Sequence, residues 1–275
     1  MRLYSFLLLV LLSFTVPVCA AEQLRLSFLD IGEGDCLLIE SDGKSAIIDT
    51  GNLRTGPGII PKLKKAQINK IDSLILTHPH LDHIGGVFAM LASIPVFSIY
   101  DNGEDLKLEQ QAEDSYRWYA EAVRSNLKYK ALKLDDVIEV GKASLTVLWP
   151  PFPMPKSDWN SNSLAIMLRF GKFSALLMGD GNIETERLLI NSGSSIKASV
   201  LKTGHHGARD TGSPEFIKAV SPQLIVISID SNNIRKYPSP ETLARFQKSG
   251  ARIIRTSQHG DVILVVEKDG RFSVL

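Results

Sequence analysis

The chain has 275 residues, of which 44 % are apolar, so it can bury one large hydrophobic core as a single domain, although its length alone would permit two. Its 31 lysine and arginine residues nearly balance its 30 aspartate and glutamate residues, which gives a formal net charge of +1. This balance argues against a protein that coats nucleic acid over its whole surface, although local basic clusters remain compatible with it.

The first twenty residues, MRLYSFLLLVLLSFTVPVCA, have the layout of a secretory signal peptide. One basic residue, Arg2, precedes an apolar run that ends in small residues, and we expect cleavage between Ala20 and Ala21. A retained membrane anchor is the alternative, but the apolar run is shorter than the roughly 20 residues that a membrane span needs. A lipid anchor on Cys19 is disfavoured, because the residues before it are not the small ones that lipidation requires.

Removal of this leader changes the charge, the cysteine content and the location of the protein. The formal charge falls from +1 to zero, and the mature domain, residues 21–275, keeps a single cysteine, Cys36. No intrachain disulfide can then form, so stability has to come from the core. Cys36 lies in an apolar segment, where we expect packing and not chemistry. We predict an exported protein, periplasmic or secreted, with no stable membrane association after cleavage and no obligate protein partner.

Along the mature chain, short β-rich segments alternate with helical ones. In chain order, the predicted strands are 24–30, 36–41, 45–50, 71–77, 137–140, 144–149, 163–170, 173–179, 196–203, 223–229, 251–256 and 261–267. The predicted helices are 58–68, 106–127, 182–192, 213–220 and 239–250. Hairpins interleaved with helices indicate two mixed sheets with helices outside them, which predicts a four-layer α/β sandwich.

The segment LTHPHLDHIGG, residues 76–86, holds three of the six histidines directly after the predicted strand 71–77. Its H-x-H-x-D-H spacing places one histidine pair on one side of a turn and an aspartate–histidine pair on the next, so two adjacent metal pockets can form. Neutral imidazole and carboxylate suit zinc, and also manganese or iron. The glycines that follow let the backbone approach closely beneath the metals. The alternative is a solvated histidine-rich turn. The four candidate ligands are His78, His80, Asp82 and His83.

Two further segments repeat the order of buried strand, candidate ligand and glycine. Asp180 ends the strand before GD, where a carboxylate can bridge two ions, although a helix N-cap is the alternative. His205 and His206 follow another strand, and because adjacent side chains diverge we expect one of them to bind metal and the other to support it or meet substrate. An exposed histidine pair is the alternative there. His259, in a QHGD turn, is expected to be a turn residue and not a ligand.

HPHLDH followed by GD and a later HHG resembles the metallo-β-lactamase superfamily, and more closely the hydrolase domain of the ComEC-type DNA-uptake proteins. The resemblance implies an αββα fold, a binuclear metal site and hydrolytic chemistry, without the channel. The motifs that carry it are FLDIGEGDCLLIES (28–41), IIDTG (47–51), LILTHPHLDHIGG (74–86), NSLAIMLRFGKFSALLMGD (162–180), LKTGHHGARDTGSPEF (201–216) and SPETL (239–243).

Carried over residue by residue, the resemblance implies a ligand set for one or two divalent ions, with zinc the first choice and manganese the second. The first ion would take His78 and His80, and Asp180 would bridge. The second ion would take Asp82, His83 and one of His205 or His206. Asp49 matches the carboxylate that steadies the histidine loop from outside the ligand shell, with a simple turn aspartate as the alternative; Asp30 and Asp35 would shape a loop near the site.

The sequence departs from the superfamily pattern at two places. Most binuclear members carry another histidine between the first cluster and the bridging aspartate, but this chain has none from His83 to His205. The segment NSNS, residues 160–163, stands there, so Asn162 or water would complete a weakly held first metal. Near the last helix, KYP replaces the Gly-His-Pro of ComEC-like sequences, so Tyr237 or the preceding lysine would have to substitute for that histidine.

These residues predict a hydrolase that uses a metal-bound hydroxide, with a phosphodiester, possibly DNA, as the first choice of substrate. Besides the metal-binding Asp82 and Asp180, Lys202 and Tyr237 are the candidate catalytic residues. Lys202, Arg209 and Lys236 are the candidates to meet the phosphate, with an ordinary surface charge as the alternative for each. One alternative is a hydrolase of small esters, lactones or phosphoesters, and another is a non-catalytic metal-binding module. Aromatic residues that would stack on a single strand, or merely pack a helix, are Tyr116, Trp118 and Tyr119.

Overall fold

A computed structural model of the protein describes residues 22–105, 114–154 and 158–275. The predicted signal peptide lies outside these ranges, as does the first part of the predicted helix 106–127. Among the helices that are described, none combines the length and the apolar character that crossing a membrane requires.

The first sheet has eight strands in the order β15-β14-β1-β2-β3-β4-β5-β6. Its members are β1 Gln23–Phe28, β2 Leu37–Ser41, β3 Lys44–Ile48, β4 Ile71–Leu76, β5 Val96–Asp101, β6 Tyr129–Ala131, β14 Val262–Glu267 and β15 Phe272–Val274. The strands β15 to β3 are joined by antiparallel pairing, whereas β3 to β6 pair in parallel. Parallel neighbours bring the carboxyl ends of β3 and β4 to one edge of the sheet.

The second sheet has seven strands in the order β13-β12-β11-β10-β9-β8-β7. Its members are β7 Val137–Val140, β8 Ala143–Trp149, β9 Ala165–Phe170, β10 Phe173–Leu177, β11 Val200–Lys202, β12 Leu224–Ile227 and β13 Arg252–Arg255. The strands β7 to β10 form an antiparallel meander, and β10 to β13 are parallel. The carboxyl ends of β10, β11 and β12 therefore also share one edge.

The described helices connect the strands and cover the outer faces of both sheets. They are α1 Ile59–Lys65, α2 Leu81–Ile84, α3 Val87–Ser93, α4 Asp114–Tyr119, α5 Ile183–Asn191, α6 Pro214–Val220, α7 Pro240–Lys248 and α8 Thr256–His259, and a π-helical turn, Ala120–Arg124, continues α4. The helices α6 and α7 begin with the same device, because Ser213 and Ser239 each accept a hydrogen bond from a backbone amide of the first turn and each precedes a proline.

Side chains alternate across the strands and so build three apolar layers. On β9, Leu168 and Phe170 enter the core between the two sheets, whereas Met167 packs on the outer side against α6 and α7. Leu74 of β4 points to a third cluster beneath α1 and α3. The predicted four-layer sandwich of two mixed sheets is thus confirmed. Because the central core joins both sheets, it fixes the ends of β4 and β10 relative to one another.

The pattern analysis missed the strands β5, β6 and β15 and the short helices α2, α3 and α8. The strand β5, VFSIYD, carries only one strong alternation of apolar and polar residues and follows a proline, so its sequence signal is weak. The predicted strand 196–203 shortens to Val200–Lys202, because Ala198 and Ser199 hydrogen-bond to Val220 and Ser174 outside the regular ladder.

The second glycine of the histidine loop is required by close packing. Gly86 has φ −77°, a conformation open to any residue, but a Cβ atom on it would lie 2.0 Å from the carbonyl oxygen of Thr50 and 2.8 Å from Cα of Gly56. Its backbone also donates to the carbonyl of Gly51. The segment that follows β3 thus packs directly on the segment that follows β4, which fixes the histidine loop in place.

We expect Gly86→Ala to lower the free energy of unfolding by about 1–3 kcal/mol, because the added methyl group has no space. Gly58→Ala is the matched control: Gly58 has φ −65° and a Cβ on it would meet nothing within 4 Å. That change should leave stability within about 0.5 kcal/mol of the wild type or raise it slightly. Urea unfolding followed by circular dichroism measures both, and equal stabilities would contradict the packing argument.

Candidate metal centre

The histidine loop begins where β4 ends and brings three imidazoles together. His78 and His83 are buried and His80 is partly exposed. The Nε2 atom of His78 lies 2.9 Å from Nδ1 of His80, and the rings of His78 and His83 have centroids 4.2 Å apart. Placement at the end of a buried strand holds these rings in a fixed arrangement without embedding them in the apolar core.

A single carboxylate orients two of these rings. Asp49, directly after β3, accepts hydrogen bonds of 2.8 Å from the Thr77 amide, from the Thr77 hydroxyl and from Nδ1 of His83. The Thr77 oxygen is also 3.1 Å from Nδ1 of His78 and, because its own proton points to Asp49, it accepts there. Both rings therefore carry a proton on Nδ1, which leaves the lone pair of each Nε2 directed towards the candidate centre.

The described residues contain three groups of candidate ligands, two of which meet at the carboxylate of Asp180, while the third, Asp35, His83 and Asp180, overlaps both. His78, His80 and Asp180 offer ligand atoms within 4.8 Å of one another, and so do Asp82, His83 and His206. One oxygen of Asp180 is 3.8 Å from Nε2 of His78, whereas the other is 3.2 Å from Nε2 of His83 and 3.6 Å from Nε2 of His206. Asp180 therefore faces each group with a different oxygen, as a bridging ligand would.

The polar atoms at the centre fit one or two divalent ions. Oδ1 of Asp180, Nε2 of His83 and Nε2 of His206 are buried and have no hydrogen-bond partner among the described residues. Buried polar atoms are nearly always satisfied, and three ligand atoms without hydrogen-bond partners that face one another fit the binding of a cation. Imidazole nitrogen with carboxylate oxygen suits zinc, manganese or iron, and the donor set does not select among them.

The charges around the centre also favour a cation. Burial alone would lower the pKa of His83, but the carboxylates of Asp180 and Asp49 outweigh it and hold that pKa well above its usual range. Burial would likewise raise the pKa of Asp180, but the imidazoles of His83 and His206 hold it well below its usual range. A field that draws protons to these rings would attract a divalent ion in the same way.

Comparison with known proteins identifies the family of the chain. Residues 29–223 match the model of the metallo-β-lactamase superfamily. The chain belongs to this superfamily. Two relatives are ComE operon protein 3 of Bacillus subtilis, 29 % identical over 91 % of this chain and 34 % of that protein, and competence protein ComA of Neisseria gonorrhoeae, 25 % identical over 94 % and 35 %. This chain spans about a third of the length of these relatives.

A solved structure agrees on the fold. The metallo-β-lactamase fold protein YhfI from Bacillus subtilis superposes with a TM-score of 0.57 at 15 % identity, over 89 % of this chain and 99 % of that one. At this identity the likeness shows the shared sandwich alone. The superfamily membership and the ComEC-type resemblance expected from the motifs are confirmed.

The adjacent histidines 205 and 206 have different surroundings. Both adopt left-handed φ angles, 39° and 53°, in a tight turn, which points their rings apart. Nδ1 of His206 lies 3.0 Å from the carbonyl oxygen of Ser228, so its Nε2 faces the metal centre. The His205 ring instead stands 5.4 Å from the ring of Tyr237 at the opening. His206 is therefore the candidate ligand, and His205 lies where a substrate would enter.

The amide expected to complete the first metal site is hydrogen-bonded to a carboxylate and is not among the described residues that line the cleft. Asn162 is fully buried and donates from Nδ2 to Glu104 at 2.8 Å, while its backbone carbonyl oxygen accepts from the Asn102 side chain. Asn160 is the residue of that segment on the wall of the opening, with Nδ2 at 3.3 Å from Nε2 of His205. Ser163 of the same segment supports the centre, because its hydroxyl accepts from the Asp180 amide at 3.0 Å.

Lys202 lies beneath the ligands and not at the opening. It is 5 % exposed, forms an ion pair with Asp35 and has its Nζ at 3.3 Å from the carbonyl oxygen of Gly179. Asp35 in turn reaches to 3.5 Å from Nδ1 of His206. The contact with substrate phosphate expected of Lys202 is thus replaced by an internal ion pair that supports a candidate ligand.

A cleft of about 540 Å³ opens over the centre. Tyr237 lines it, as expected. Of the aromatic cluster on the predicted long helix, Tyr116 also lines it, whereas Tyr119 is buried and Trp118 is exposed outside the lining. Arg235 was missed, although it stands two residues before Tyr237. The described lining is Glu33, Asn52, His80, Leu81, Asp82, Tyr116, Asn160, Asp180, His205, Arg235 and Tyr237.

We expect Asp180→Ala to remove most bound metal, because both ligand groups lose their shared carboxylate. His259→Ala is the control, since His259 is exposed, its ring hydrogen-bonds to the Arg255 carbonyl, and it is in none of the candidate ligand groups of the described residues. Elemental analysis of the purified proteins measures the metal content. A full metal complement in Asp180→Ala would show that the ligand assignment is wrong.

We expect Thr77→Val to weaken metal binding about 10- to 100-fold, the usual cost of losing a group that orients a ligand. The valine keeps the shape but removes the hydroxyl that links Asp49 to His78. Thr77→Ser restores the hydroxyl and should restore the affinity. Competition with a chromophoric chelator gives the affinities. If Thr77→Val binds as tightly as the wild type, the hydroxyl does not orient His78.

Proposed function

We propose that this protein is a metal-dependent phosphodiesterase, which would be a nuclease if its substrate is DNA. The observation that carries the proposal is the position of Asp180, which presents one oxygen to His78 and the other to His83 and His206. Two ligand groups joined in this way suit two adjacent cations. Paired divalent ions, when bound, supply an activated water and stabilise the negative charge that develops on phosphoryl oxygens.

The residues of the chain provide the remaining functions. Asp49 and Thr77 hold the ligand rings in one tautomer, so little rearrangement is needed when a substrate arrives. Burial raises the pKa of Tyr237, so its phenol stays protonated at neutral pH. With His205 beside it, this phenol can donate a hydrogen bond to the leaving oxygen of a substrate in the cleft.

The names of the relatives bear on the choice between DNA and a small substrate. Two of them are named for competence or its operon, and they are about three times as long as this chain, so DNA as a substrate remains part of the proposal. The balanced composition and a cleft lined by Glu33, Asp82 and Asp180 do not form the basic groove that long strands favour. This acidic lining supports the second candidate, a hydrolase of small phosphoesters or other small esters.

Location outside the cytoplasm is a further part of the proposal. It rests on the layout of the first twenty residues, with their basic start, apolar run and small residues before Ala21. A periplasmic or secreted phosphodiesterase would meet extracellular nucleic acid or its fragments. Sequencing the amino terminus of the exported protein tests this: we expect it to begin at Ala21.

We expect the protein purified with zinc or manganese to hydrolyse bis-(p-nitrophenyl) phosphate, and a chelator to abolish this activity until metal is returned. Single-stranded DNA and a dinucleotide, assayed side by side, separate a nuclease from a small-substrate enzyme. Asp180→Ala should be inactive on all of them, and His259→Ala should retain the wild-type rate. Stable metal binding without turnover of any phosphodiester or ester would contradict the proposal and identify a non-catalytic metal-binding module.

A further inference from the structure

One arginine stands at the edge of the metal cleft. Among the described residues that line this cleft, Arg235 is the only lysine or arginine. Its Nη1 atom is 3.5 Å from Oδ2 of Asp82, a candidate ligand of the second group, and its side chain is half exposed. A cation is therefore placed one contact away from the proposed metals, on the side that is open to solvent.

The loop that carries this arginine is held by its own hydrogen bonds. The Asn233 side chain accepts from the amide of Tyr237 at 2.6 Å and donates to the carbonyl oxygens of Tyr237 and Asp230, at 2.9 and 2.8 Å. Both backbone groups of Tyr237 are thus fixed by a residue four positions earlier. Arg235 lies within this closed turn, so its backbone is anchored while its side chain keeps the freedom to reach a ligand.

The contact between Arg235 and Asp82 would weaken if the centre held a metal. Asp82 is a candidate metal ligand, and a carboxylate that binds a divalent ion has less charge to share with a guanidinium. The guanidinium would then need another anion. Its planar array of donors matches two oxygens of one phosphate group, and it keeps its charge at every physiological pH. A phosphodiester carries one negative charge, whereas a carboxylic ester carries none.

We propose that Arg235 is a specificity-determining residue that binds the non-bridging oxygens of an anionic phosphodiester beside the metals. This inference rests on the proposed function and adds to it a reason for choosing phosphodiesters over neutral esters. Outside the candidate ligands, the one carboxylate among the described lining residues is that of Glu33, which would repel an anionic substrate, so Arg235 is the lining side chain with the charge to attract one.

The test compares two p-nitrophenol substrates of different charge, bis-(p-nitrophenyl) phosphate and p-nitrophenyl acetate, with each metal-loaded variant. Arg235→Gln should lower kcat/KM for the phosphodiester about 10- to 100-fold and leave that for the acetate within about threefold, as expected for the loss of a hydrogen bond to a charged group. Arg235→Lys should lie between, because it keeps the charge but not the paired donors.

Arg187→Gln is the matched control. Arg187 is also a surface arginine paired with a carboxylate, that of Glu184 on α5, and it lies outside the cleft lining, so the change should leave both substrates unaffected. Calorimetric titration with inorganic phosphate gives a readout that does not need turnover. We expect Arg235→Gln to weaken phosphate binding at least tenfold while its metal content, by elemental analysis, equals that of the wild type.

Three results for Arg235→Gln would each overturn the role of Arg235: equal loss of activity on both substrates, unchanged phosphate affinity, or loss of metal. The phosphodiesterase proposal would still stand in each case. If the wild type hydrolyses no phosphodiester, the proposed function fails instead. The phosphate titration then still decides whether Arg235 binds the anion, because wild type and variant are compared without any reaction.

Discussion

The site depends on one buried carboxylate, that of Asp180. Asp180 is 1 % exposed, and an ionised carboxylate at such a place is costly unless positive groups surround it. The His83 ring, whose pKa Asp180 and Asp49 hold well above its usual range, faces one oxygen of this carboxylate; the His78 ring faces the other, and the Ser163 hydroxyl fixes the Asp180 backbone amide. The turn before it tolerates no side chain, since a Cβ on Gly179 would lie 2.1 Å from the Ser163 oxygen and its φ is +49°. The fold thus holds a negative charge ready for cations.

This charge can be held because the two sheets are locked together. Asp49 and the histidine loop follow strands of the first sheet, whereas Asp180 and His206 follow strands of the second. Neither sheet alone contains a complete ligand group. The apolar layer between the sheets, to which β1, β9, β10 and β14 contribute, therefore sets the distance between the ligands as well as the stability of the fold. Metal binding and sheet packing are consequently coupled, since a cation would join both sheets.

The sequence predicted those parts of the site that depend on local pattern. The sequence alone predicts the dense H-x-H-x-D-H motif and the later carboxylate as ligands, because each follows a buried strand and the end of a strand fixes where the next residues lie. Contacts between loops that are far apart in the sequence could not be predicted from it. Asn162 bonds to Glu104, 58 positions away, and Lys202 pairs with Asp35, 167 positions away, so neither reaches the cleft as expected. Arg235 was overlooked because a single arginine in a loop carries no periodic or spacing signal.

Because this chain lacks the mid-chain histidine of most binuclear members, its two metal positions have different numbers of candidate ligands. The second group can use Asp82, His83, His206 and one oxygen of Asp180, whereas the first has two histidines and the other oxygen. Each ligand adds to affinity, so the second position should fill at lower metal concentration than the first. The orphaned buried atoms agree, because Nε2 of His83 and of His206 lack partners while Nε2 of His78 is already in contact with His80. The first ion then has to displace that contact, and its occupancy would depend on metal supply and on what the cleft binds.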